Sequence, residues 1–206
     1  MKVLKIIIGV IVVLVVAVFI WLSMLPDSYR VERNIVINAS PELVMENIVN
    51  FKNWENWSPW VEKDPNAAYT LSGVDGEVGA SMRWEGNDSI GVGTMTITGI
   101  EENKLISYSL AFIKPWESSS EGVFKINISE EGTEVAWVDE GDLPFFMRWM
   151  GSAMDSWIGP DFEKGLAKMK VVVEELSANA TPVLEEVVEE VEEVEGVEEV
   201  EEPVSD

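Results

Sequence analysis

Hydrophobic and polar positions divide the chain into three patterns. From Ile6 to Leu25 no charged residue interrupts a run dominated by Ile, Val and Leu. It is hydrophobic on every side, unlike the one-sided stripe of a surface helix. As a helix these 20 residues rise about 30 Å, the thickness of a hydrocarbon core. Trp21 stands near one end, where an amphipathic ring favours the interface, and Pro26 and Asp27 close the helix. The competing reading is a cleaved signal peptide, which has a shorter apolar core and a small-residue cleavage site. Leu22, Ser23, Met24 and Leu25 fit such a site poorly, so residues 1–26 are expected to form an uncleaved anchor.

The second pattern, from 29 to 176, begins with strict alternation. Val31, Ile35 and Ile37 share one face of a strand at 29–37. Ser40 is a good helix N-cap and Pro41 suits the first helical position. Leu43, Val44, Ile48 and Phe51 follow at helical spacing, and a short helix or turn covers 54–60. Strands are then expected at 68–71, 80–85, 90–100, 105–113, 119–129 and 133–139. They are separated by turns rich in Gly, Asn and Asp. Ile106, Tyr108, Leu110 and Phe112 fall on one face, as do Phe124, Ile126 and Ile128 on the next strand and Val135 and Trp137 on the last. Sequential hairpins imply an antiparallel sheet with one covered face. The cover is expected from a helix opening at Gly159-Pro160. In it Phe162, Leu166, Met169, Val173 and Leu176 recur every three or four residues, after a helical lead-in over 143–158. The fold class is therefore α+β, a long C-terminal helix gripped by a curved sheet.

The third pattern, 177–206, is a linker at 178–182 followed almost wholly by Val and Glu. Val187, Val191 and Val194 sit at helical spacing. Unpaired Glu residues and Gly196 oppose a helix, and a disordered acidic tail is expected.

Composition then removes whole classes of chemistry. The chain of 206 residues carries a net charge of -24 with no Cys and no His. No thiolate nucleophile, disulfide framework, Ser-His-Asp triad or His-based metal site can be built. Acid–base work would fall to Asp, Glu, Tyr or Lys of shifted pKa. The basic clusters that grip phosphates are missing, so nucleic acid is not an expected partner. Lys2 and Lys5 before the apolar run bias its N-terminal side toward the cytoplasm, placing the domain on the outer face.

A set of short motifs carries a family resemblance. Phe51-Lys-Asn-Trp-Glu-Asn-Trp-Ser-Pro-Trp60, Asp64-Pro65, Gly76-Glu-Val-Gly79, Trp84-Glu-Gly86, Gly91-Val-Gly93, Lys114-Pro-Trp116 and Gly159-Pro-Asp-Phe-Glu-Lys-Gly-Leu166 together resemble the SRPBCC superfamily (START and polyketide cyclase-like). Bacterial membrane-anchored members are the most similar. The resemblance spans 29–176. It implies a helix-grip fold with a cavity between sheet and last helix, an apolar small molecule or lipid as ligand, and residence in the bacterial inner membrane; no cofactor is expected. No catalytic motif carries over, and fold does not imply function.

Ligand-lining candidates are Trp57, Trp60, Trp84, Tyr108, Phe112, Trp116, Phe124, Trp137, Trp149, Phe162 and Leu166. The alternative for each aromatic is plain core packing. Met147, Met150 and Met154 could form an adaptable lid. Glu85 and Asp139 are the carboxylates nearest the expected cavity, Asp139 on the face of Val135 and Trp137. Gly91, Gly93 and Gly99 share a strand face and are expected to bend the sheet or leave space under the helix. Three functions follow: a tethered carrier of an apolar ligand, a cyclase- or dehydratase-like enzyme using a cavity carboxylate, and an envelope scaffold whose acidic tail recruits a basic partner.

Overall fold

The computed structural model describes residues 2–195, with side chains through residue 180. Helix α1 (Lys2–Ser23) is the apolar run; it is long and apolar enough to cross a membrane, and none of it is buried against the domain in its most hydrophobic window. Strand β1 (Ser28–Ile37) leaves it almost at once. Helix α2 (Pro41–Val49) starts as its sequence dictates, with Ser40 Oγ accepting a hydrogen bond from the Leu43 amide and Pro41 in the first turn. Phe51–Asn53 form a 3₁₀ turn. Two short helices follow, α3 (Trp54–Trp57) and α4 (Pro59–Lys63), split at Ser58 because Pro59 cannot continue the first.

Strands β2 (Ala68–Ser72), β3 (Ser81–Glu85), β4 (Val92–Glu101), β5 (Leu105–Lys114), β6 (Ser118–Ser129) and β7 (Gly132–Asp142) complete the sheet. Among the described residues it has seven strands in the order β1-β7-β6-β5-β4-β3-β2, all antiparallel. A 3₁₀ turn (Phe145–Met150) leads into helix α5 (Gly151–Glu195). Phe162, Leu166, Met169 and Val173 of α5 are buried on the concave face of the sheet. A long helix held against a curved antiparallel sheet is a helix-grip fold.

Three expectations change. The last helix opens at Gly151, within the expected helical lead-in, and not at Gly159. Asp161 and Glu163 lie inside it and pair with Lys63 and Arg33. Leu176 continues the apolar spacing but is 45% exposed, because the sheet ends before the helix does. The helix also runs through the expected linker at 178–182 to Glu195; residues 196–206 of the expected tail lie outside the described residues.

Gly99 is also reassigned. A β-bulge between Ile97 and Gly99 lets Ile97 oppose Tyr108 and Gly99 oppose Ser107. One extra residue flips the side chains that follow, so Gly99 leaves the face that carries Gly93. Gly93 itself does not leave empty space. A Cβ there would come within 2.4 Å of the Trp84 ring. Likewise a Cβ at Gly122 would come within 2.0 Å of Tyr108. These glycines let aromatic rings lie flat on the sheet.

Candidate functional site

The concave face of the sheet is not uniform along its strands. At the end where β5 begins and β7 begins, it is packed solid. Trp57, Phe124, Trp137 and Val135 are fully buried there, with Ile106 and Tyr108 nearly so. The Trp137 ring stacks on Phe162 at 4.1 Å and on Phe124 at 4.8 Å. The indole N–H groups are satisfied: Trp137 donates to Tyr108 Oη at 2.7 Å, Trp57 to the Asn47 carbonyl and Trp54 to the Ile48 carbonyl.

Toward the opposite strand ends the same face opens. The register places Ser28 against Asp142, Phe112 against Ser118, and Val92 against both Glu85 and Lys114. That end of the sheet adjoins the exit of α1. An open cleft of about 1810 Å³ lies between it and the start of α5. This exceeds the about 300–1,000 Å³ of an enclosed small-molecule pocket because one side is open. Met82, Trp84, Met95, Leu110 and Phe112 give it an apolar wall on β3, β4 and β5; Met147, Met150, Met154 and Ile158 roof it.

Of the eleven residues singled out from sequence, Trp60, Trp84, Tyr108, Phe112, Trp116 and Phe162 line the cleft. Trp57, Phe124, Trp137 and Leu166 do not; they are sealed in the core behind it. Trp149 is 49% exposed and faces away from the cleft lining. Sequence alternation names the right face of each strand but not the point along it where the helix lifts off.

One corner of the cleft is polar. Asp139 of β7 is 3% exposed. Its Oδ1 accepts from Tyr29 Oη at 2.8 Å and its Oδ2 from Ser120 Oγ at 3.0 Å. All three residues line the cleft. Burial pushes the Asp139 carboxyl up to about 6, against the two hydrogen bonds that pull it down. Burial, and then the Asp139 charge, push the Tyr29 phenol far above its usual range. Burial does the same for Tyr108. Sequence reading placed Asp139 on the inward face but did not join Tyr29 or Ser120 to it, since those partners lie 110 and 19 positions away. Glu85 points outward, half exposed, and pairs with Arg83 at 2.9 Å, so it has no part in the cleft. No group of His, Cys, Asp or Glu suited to a metal ion occurs among the described residues.

The family model for polyketide cyclase / dehydrase and lipid transport proteins matches residues 28–174. The chain belongs to this family, within the SRPBCC superfamily. No curated protein matches it. Solved structures share the fold at low identity. A protein of unknown function from Staphylococcus aureus aligns with a TM-score of 0.56 at 15% identity, over 73% of this chain and 96% of its own. An uncharacterized protein from Rhizobium leguminosarum aligns at 0.55 and 16%, over 72% and 95%. A protein from Chromobacterium violaceum aligns at 0.52 and 16%, over 72% and 98%. The family's description joins cyclases and dehydrases with lipid transport proteins, and in this chain the sheet and the last helix part at the cleft just described.

Proposed function

We propose that this SRPBCC protein binds or carries an apolar small molecule or lipid in the cleft, tethered by α1 as a single-pass anchor. The observation that carries the reading is the opening of one sheet face into a methionine-roofed apolar cleft beside the exit of α1. Met side chains adapt to ligands of irregular shape. The Tyr29–Asp139–Ser120 corner supplies a polar end point. An ionised carboxylate there, in a strongly acidic domain, repels a ligand carboxylate and accepts a hydroxyl or an amine. The expected ligand is thus an amphiphile with a neutral or cationic head. Lys2 and Lys5 ahead of the span support an N-terminus on the cytoplasmic side of a bacterial inner membrane and a domain on the outer face.

The test uses delipidated full-length protein in micelles, titrated with a fluorescent long-chain alcohol and with the matching carboxylate. Saturable alcohol binding, weaker carboxylate binding, and loss of both on Leu110→Trp are expected. Binding unchanged by filling the cleft would overturn the reading.

Asp139 supports a second reading. A buried carboxyl with a pKa of about 6 is poised for acid–base work near neutral pH, as a cyclase- or dehydratase-like enzyme requires. In that case Asp139→Asn abolishes conversion of a bound ligand while leaving its affinity within a few-fold; a carrier shows no conversion in either form.

A further inference from the structure

The 3₁₀ turn before α5 has two faces. Met147 and Met150 look into the cleft. Phe146 and Trp149 look out, 73% and 49% exposed, although they are among the largest apolar side chains available. The turn is fastened to the exit of α1. Phe145 packs on Phe19 with ring centroids 4.6 Å apart, the Leu143 amide donates to the Asp27 carbonyl, and Arg148 reaches toward Asp27. Leu22 of α1 is 6% exposed, and α1 touches the domain chiefly at this turn.

That attachment fixes a depth. Phe19 lies four residues before the end of α1 at Ser23, about 6 Å back along the helix axis. A group held against Phe19 therefore lies level with the outermost turn of the span, where Trp21 also sits, 52% exposed. Aromatic side chains favour this interfacial layer. The apolar surface of α1 thus adjoins the turn that carries Phe146 and Trp149 through the Phe19–Phe145 contact, with Arg148 and Asp27 facing each other beside it.

We propose that the Phe145–Met150 turn is a membrane-docking element whose outer face, Phe146 and Trp149, seats in the lipid headgroup and acyl boundary. Its inner face opens the cleft directly to that leaflet. The partner is the bilayer in which α1 is anchored, so the inference rests on the anchor reading. An apolar ligand then passes between leaflet and cleft past Met147 and Met150 without crossing water. The opposite end of the sheet, marked by Ile128 at 83% exposure, stands ten residues along β6 from Ser118, about 34 Å away along the strand.

The chain has no cysteine, so single probes can be placed cleanly. Full-length variants Phe146→Cys, Ile128→Cys and Val13→Cys, each carrying an environment-sensitive fluorophore, are reconstituted in phosphatidylcholine vesicles. Lipids bearing nitroxides near the headgroup and near the acyl terminus serve as quenchers. The Phe146 probe is expected to be blue-shifted and quenched best by the shallow nitroxide, the Ile128 probe to be unquenched, and the Val13 probe to be quenched best by the deep one. A Val13 probe deep in lipid with a Phe146 probe as water-exposed as Ile128 overturns the docking proposal and leaves the anchor standing. An unquenched Val13 probe overturns the anchor and, with it, the docking proposal that rests on it. A Phe146 probe shielded from aqueous iodide yet untouched by lipid nitroxides places protein on the patch and overturns the proposal. Trp149→Glu supplies a second readout: ligand exchange with vesicles is expected to slow several-fold with binding in micelles unchanged, and equal exchange would contradict it.

Discussion

The two ends of one sheet face have opposite fates. Near the middle of β5 and β7, Tyr108 and Trp137 are locked under α5 by stacked rings and satisfied N–H groups. Four residues along β5, and two along β7, the same inward positions are Phe112 and Asp139, and they border open space. Strand alternation is identical in both places. What differs is the cover: Phe162 is the first large α5 side chain buried against the sheet, and before it the helix and its 3₁₀ turn stand off as a roof. The packed end supplies stability, and under the proposed function the open end receives the ligand.

The largest expected effect comes from breaking the packed end. Trp137→Ala removes the ring that meets Trp57, Trp60, Phe124 and Phe162, and is expected to cost about 3–5 kcal/mol. Denaturant unfolding of the full chain in micelles checks this; a loss below about 1 kcal/mol would mean that the two ends do not differ.

Next is Asp139, whose sign is worked out from linkage. Its folded pKa of about 6 lies above the usual value of 3.8, so between those values the native state holds a proton the unfolded chain has lost. Stability then falls as pH rises through that window and stays lower above it. The cost at neutral pH is about 3 kcal/mol. Asp139→Asn removes the charge and keeps one acceptor oxygen, while its amide N–H donates to the hydroxyl that faced the other oxygen. It is expected to raise Tm at pH 7 relative to wild type and to leave it nearly unchanged at pH 4 or below. Equal shifts at both pH values would place the carboxylate in water.

A smaller effect tests the open end. Phe112 is half-buried and meets Trp84 edge-on at 5.6 Å, so Phe112→Ala is expected to cost about 1 kcal/mol of stability while weakening alcohol binding about tenfold, or 1.4 kcal/mol. Smallest of all, Glu85→Gln breaks only an exposed pair with Arg83 and is expected to change stability by less than about 0.5 kcal/mol and binding not at all.

Much of the fold was legible because its signals are local. Ser40 and Pro41 announced α2, and Gly, Asn and Asp marked the turns between strands whose alternation then named the inward face. The start of α5 was misread because Gly159 and Pro160 look like a helix opening. In the structure Gly159 is buried within the helix, and a Cβ there would meet the Arg33 guanidinium, which bonds Asp155 and Glu163. That glycine answers to a partner on β1, which no local pattern reveals. The cleft was half legible for a similar reason. Period two separates Tyr108 from Ser109, but nothing in the sequence separates Tyr108, under the helix, from Phe112, beyond its reach. The bulge that turns Gly99 away is equally silent, since its effect appears only in the pairing with Ser107.

The most direct test is photocrosslinking of the reconstituted full chain with an uncharged lipid bearing a diazirine in its acyl chain, followed by peptide mapping. Adducts are expected on Leu110, Phe112, Met147 and Met154, with none on Ile106, Phe124 or the outward face of the sheet. Adducts confined to α1, with the cleft peptides unlabelled, would contradict the division of the sheet into a packed end and a lipid-receiving one.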